Sequence, residues 1–305
     1  MTCKRSLLVD SESPQFYHII SRCVRRAWLC GKDPVTKRCY EHRRAWIEEQ
    51  LLFLAEHFAV EIYAYAVMSN HYHIVLRYDP NAVHTWSDAE VAFHWLEVHP
   101  PRRNGQVIEA DKASRREALL GDQKKLQRCR ERLGSLSWFM RSMNYPIACR
   151  ANKEDDCRGH FWEGRFKSIV LLEEVAVLAC MVYVDLNPVR ASMTRYFQKG
   201  EYTSIKKRIG HEESESGNLM PIHLHPTVSA STPQNPILSV TLAEYKALLR
   251  ESHLTDGADP VPDNNWIALV LSMKHERRAY GSKDKITQWA RKIGQTRIKG
   301  LHSST

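Results

Sequence analysis

Two strand-like runs, Val60–Val67 and His71–Tyr78, are separated only by a short turn containing Ser69 and Asn70. A link that short cannot cross over to a parallel neighbour, which takes a dozen residues or more, so the runs pair as an antiparallel hairpin. Residues 16–24, rich in β-formers, precede them, and a fourth run at 166–172 follows. Elsewhere the apolar spacing turns helical. Residues 40–58 carry Ala45, Trp46, Leu51, Leu52, Ala55 and Phe58 at such intervals, and 122–151 carry Leu126, Leu133, Leu136, Phe139, Met140 and Met143. A further helix over 173–186 is expected to stop at Asn187-Pro188. The order β-α-β-β-(insert)-α-β-α predicts an α+β fold: an antiparallel sheet with helices on one face, on the split βαβ, ferredoxin-like plan.

Residues 1–210 form the main unit in this reading, with a polar, charged insertion at 81–121. Residues 211–236, rich in Glu, Ser, Pro and Thr, read as a linker, and 237–305 as a basic, mainly helical C-terminal region with candidate helices at 241–250, 266–276 and 283–293. Lys and Arg number 44 against 35 Asp and Glu, a net charge of +9 that points to a polyanionic partner. Eight cysteines include no Cys-x-x-Cys pair, which argues against a zinc ribbon or a thioredoxin-type site. The first residues lack the apolar core of a signal peptide, and the most apolar stretch, 169–184, is broken by Glu173 and Glu174. A cytoplasmic protein with reduced thiols and no membrane partner is the expectation.

Three constellations carry chemistry. On the second hairpin strand, His71 and His73 point to the same side, roughly 6.5–7 Å apart at Cα, so they can share one metal ion. Read alone, a His-x-His is first of all a polar strand face, and the chain repeats the pattern at His223 and His225 in the linker. Tyr183 and Asn187 lie four apart on one helix face, where a phenol and an amide oxygen could meet a metal-bound phosphate. The same two residues could equally be a packed core tyrosine and a helix terminus. Residues 159–168 interleave Phe161, Trp162 and Phe166 with Arg165 and Lys167, which suits unpaired bases and phosphates, or a solvated turn.

Taken together and in order, these motifs resemble the REP-associated tyrosine transposases and their relatives among the single-tyrosine HUH transposases. The matching pieces are Tyr17-His18-Ile19 with Ser21-Arg22, residues 68–74, residues 160–168 and residues 183–191, within about residues 14 to 205. The resemblance implies a ferredoxin-like, RRM-like palm. It also implies a divalent ion, Mg²⁺ or Mn²⁺, held by His71, His73 and Asn187, with Tyr183 as nucleophile. The activity it implies is cutting of single-stranded DNA at hairpin repeats through a 5′-phosphotyrosine link. Arg22, Arg165 and Lys167 are then expected at phosphates and Trp162 at a base. Hairpin or single-stranded DNA is the expected partner, and the protein is expected to be a monomer or homodimer. Two alternatives stay open: a domesticated, non-cleaving binder of structured single-stranded DNA, and an HUH replication initiator or relaxase.

Overall fold

The structure, a computed structural model, describes residues 9–24, 29–33, 37–210, 219–222, 238–254, 265–275, 277–295, 298 and 300–301. The chain opens with β1 (Gln15–Arg22), α1 (His42–Ala55) and the hairpin β2 (Val60–Val67) and β3 (His71–Tyr78). The insertion contributes α2 (Asp88–Val98), a small ribbon of β4 (Arg102–Arg103) and β5 (Gln106–Val107), and α3 (Asp111–Leu120). Then come α4 (Gln123–Leu133), α5 (Leu136–Glu154), β6 (Lys167–Leu171), α6 (Glu174–Arg190) and α7 (Ser204–Gly210). The C-terminal region supplies α8 (Leu242–Leu254), α9 (Asn265–Ser272), β7 (Ala279–Tyr280), α10 (Lys283–Lys292) and β8 (Gly300–Leu301).

The main sheet runs β2-β3-β1-β6-β7-β8. Its first four strands pair antiparallel in the order of the split βαβ plan, with β1 hydrogen-bonded to both β3 and β6. A central strand must be apolar on both faces, and β1 buries Tyr17, His18 and Ile19 completely. Pleat alternation then divides two cores. Tyr17, Ile19, Tyr72, Ile74 and Leu76 face α1 and α5, whereas Val75, Ile169 and Leu171 face α6. The α1/α5 layer is the one expected. The opposite face is not open, because α6 covers it and is itself backed by α8 and α9.

Three expectations change. The helical stretch at 122–151 is two helices, broken where Gly134 meets the 80–83 turn. A Cβ at Gly134 would lie 2.8 Å from Val83 Cγ2, and the Gly134 carbonyl accepts from the Tyr78 hydroxyl at 2.7 Å. The helix over 173–186 does not stop before Pro188; α6 continues to Arg190 with Pro188 inside it. Burial of Asp185, Leu186 and Asn187 holds that turn despite the missing proline N–H. The C-terminal region, expected as a helical extension, also extends the sheet, with β7 parallel to β6 and β8 parallel to β7. Within the expected linker, Leu219 is buried and the Ile222 N–H donates to the Ile62 carbonyl at 2.7 Å. His223 and His225 lie outside the described residues.

Candidate active site

The site lies on the α6 face of the sheet, at the end of β1 and β3. Register places Arg22 opposite His71, and Ile20 opposite both His73 and Lys167. Because side chains alternate, Tyr72 turns away to bond Asn144 on α5, while His71 and His73 share the α6 face. Their rings sit 4.8 Å apart at 78°. A third imidazole joins them. His18 of β1 stacks on His73 with centroids 5.0 Å apart, and its Nε2 is 2.8 Å from His73 Nδ1.

Tyr183 on α6 presents its ring edge-on to this group, 5.8 Å from His73 and 6.2 Å from His18. The Arg190 guanidinium stands 5.4 Å from the Tyr183 ring centre. Burial raises the Tyr183 pKa above that of an ordinary phenol, as does Cys180, while the Asn187 amide and the cations Arg190 and Arg22 pull the other way. The imidazoles are held neutral. Burial, and then the charge of His71, lowers His18 to about 3. Burial, and then Arg22, lowers His71 to about 4. His73 is pushed well below 6.5, first by burial.

Neutral imidazoles offer lone pairs, the form a metal ion needs. His71 Nδ1 lies 2.6 Å from Asn70 Oδ1; with that nitrogen donating, Nε2 is left as the acceptor. His73 Nε2 is buried without a hydrogen-bond partner, and so is His18 Nδ1. With His73 Nδ1–H donating to His18, Nε2 carries the lone pair. Two imidazoles therefore suit a divalent ion whose remaining positions are filled by phosphate and water. Among the described residues, no group of three or more His, Cys, Asp or Glu is arranged to hold one.

His71, His73 and Tyr183 line one cavity of about 520 Å³, together with Arg22, Arg165 and Lys167. Lys274, Arg277 and Arg278 complete its basic wall, against a single carboxylate, Glu163. Asn187 lines an adjoining cavity that shares Tyr183 and also holds Arg190; its Nδ2 donates to the Tyr183 carbonyl at 3.0 Å, and its amide is near enough to the Tyr183 hydroxyl to lower that pKa. Trp162 also stands outside the cavity, its Nε1 donating to the Asn144 carbonyl at 2.9 Å and its ring edge-on to Tyr72. Sequence reasoning did not single out His18, Lys274, Arg277 or Arg278 as site residues. The basic run at 274–278 was visible, but no local pattern ties it to a sheet edge formed a hundred residues earlier.

No family model matches the chain, and no curated protein matches it. Among solved structures, a REP-associated tyrosine transposase bound to a REP hairpin is similar at 10% identity, over 78% of this chain and 100% of that one, with a TM-score of 0.36. So loose an overlap carries no weight for the chemistry, which stands on the residues above. No helix among the described residues is long and apolar enough to cross a membrane.

Proposed function

We propose that this chain is a metal-dependent, single-strand DNA endonuclease and strand-transferase, of the REP-associated tyrosine transposase kind, acting next to hairpin repeats. One observation carries the reading: a helix-borne phenol and two strand-borne neutral imidazoles share a cavity walled by six Lys and Arg side chains. His71 and His73 would hold the ion, Mg²⁺ or Mn²⁺, which when bound supplies Lewis-acid polarisation of the scissile phosphate. The chain's own groups do the rest. Arg22, Arg165 and Lys167 bind phosphate oxygens and hold the strand against β1 and β6. The Tyr183 oxygen attacks phosphorus, forming the phosphotyrosine bond as the bond to the 3′-oxygen breaks. The phenol proton passes to water and the departing 3′-oxygen takes one up, so nothing is oxidised or consumed. Attack by another 3′-hydroxyl reverses the step and joins strands, without ATP.

A non-cleaving binder of structured single-stranded DNA is the second reading. It is supported by the basic cavity wall taken alone, since holding a phosphate backbone there needs neither Tyr183 nor a metal ion. One assay separates the two. A hairpin oligonucleotide with single-stranded flanks is incubated with the protein and Mn²⁺ and resolved on a denaturing gel. The nuclease reading expects a covalent adduct from the wild-type chain that disappears with EDTA, with Tyr183→Phe and with His71→Ala, while hairpin affinity persists. An adduct from Tyr183→Phe would overturn the choice of nucleophile, and binding without any wild-type adduct would favour the binder.

A further inference from the structure

The cleft between α5 and the 159–166 loop lies outside the chemistry described so far. It encloses about 790 Å³, with mostly apolar walls that include Met140, Tyr145, Phe161 and Phe166. Arg141 and Arg165 line it and no carboxylate does. Gly164, Arg165 and Phe166 also line the Tyr183 cavity, so the two cavities adjoin along this stretch. We propose that this cleft holds an unpaired DNA segment running into the Tyr183 cavity, with a base stacked on Tyr145 and phosphates met by Arg141 and Arg165.

Three observations select that occupant. Tyr145 is a large aromatic side chain kept 67% exposed on a packed helix, as a stacking surface must be. Arg141 is set in advance: its guanidinium lies 4.9 Å from the Trp138 ring centre, and Arg132 lies 4.3 Å from the same ring. Neither of these two guanidiniums forms an ion pair with a carboxylate among the described residues. A planar cation stacked on an indole loses less freedom when it meets a phosphate than a mobile lysine would. Finally, an aromatic floor with cationic walls matches the alternation of bases and phosphates in a single strand. Trp162 also lines the cleft, but its Nε1 donates to the Asn144 carbonyl and its ring meets Tyr72, whereas the far more exposed Tyr145 ring offers the open stacking surface.

The proposal rests on the DNA-processing reading, but its test does not need cleavage. Binding of a fluorescein-labelled twelve-nucleotide oligo-dT to the full chain is measured by anisotropy in EDTA. Tyr145→Ala is expected to weaken binding about 5- to 150-fold, the range set by loss of one stacked base. Tyr145→Phe should bind like wild type, because it keeps the ring, and Arg141→Gln should weaken binding while melting like wild type. Wild-type affinity in both Tyr145→Ala and Arg141→Gln overturns the cleft while leaving the nuclease reading intact. Failure of the wild-type chain to bind the oligonucleotide overturns both.

Discussion

Among the described residues, buried imidazoles are hydrogen-bonded to one another at His18–His73 and at His57–His94, where the two Nδ1 atoms lie 2.9 Å apart. Two charged rings cannot share such a bond, so at least one ring of each pair is neutral, and burial favours the neutral form of both. Burial lowers His57, and lowers His94 to about 4, with His57 adding to the effect on His94. The sign follows from linkage. A folded pKa below the unfolded value of about 6.5 means that the unfolded chain takes up protons first as pH falls. Stability from these rings is therefore complete above about pH 6.5 and drains away as pH falls, down to about 4 for His94 and about 3 for His18. Thermal melts at pH 7.5 and pH 4.5 should show a lower Tm at the acid end, and His94→Gln should make the dependence shallower. An unchanged dependence in that variant would mean that His94 is not held neutral.

At the scale of elements, the placement of the nucleophile depends on α6, and α6 is pinned by Asp185. This carboxylate, 1% exposed, accepts from the Ser204 hydroxyl, from the Ile205 N–H at 3.0 Å and from the Tyr245 hydroxyl at 2.7 Å. It thereby joins the Tyr183 helix to α7 and α8. Asp185→Ala would strand three buried donors and should cost about 3 kcal/mol or more of unfolding free energy, read by urea denaturation. A loss below about 1 kcal/mol would mean that other contacts set the helix. Gly134→Ala should also destabilise, by about 1–3 kcal/mol, because its Cβ meets the buried Val83.

The same scale shows what a sequence can and cannot reveal. The hairpin is legible to the residue, since alternation and turn chemistry are local. The break at Gly134 is not, because it is made by a turn fifty residues earlier. Pro188 misleads, since the rule that proline ends helices is overridden where packing holds the turn. The strand β7, only two residues long, has no pattern of its own and exists through its pairing with β6. In the site, the spacing of His71 and His73 and the helix position of Tyr183 could be read directly. His18 could not, because a single imidazole on a central strand is indistinguishable from a core residue until its neighbour is known. Asn187 shares a helix face with Tyr183, as its spacing suggests, but the cavity it lines depends on how α6 packs.

At the scale of the whole molecule, part of the basic excess, +9 over the full chain, lies at the site. Six cations wall the Tyr183 cavity, and three of them come from the 274–278 segment that leads into β7. If all six meet phosphates, single-strand affinity should fall with a log–log salt slope of about −4 between 50 and 200 mM NaCl. Removing one cation with Arg278→Ala should flatten the slope by about 0.7. A slope near zero would show that the basic wall meets no nucleic acid backbone. Removing residues 277–305 should cost stability as well as affinity, because it strips β7 and β8 from the sheet; a truncated chain that melts like the full one would contradict that.

The central claim is that one phenol, set against neutral imidazoles, becomes joined to DNA. Tryptic digestion and mass spectrometry of a wild-type reaction with a hairpin oligonucleotide and Mn²⁺ address it directly. The expected product is the peptide containing Tyr183, heavier by the mass of the nucleotide remnant and fragmenting at that tyrosine. A remnant on any other residue, or none from protein that binds the hairpin, would contradict the assignment.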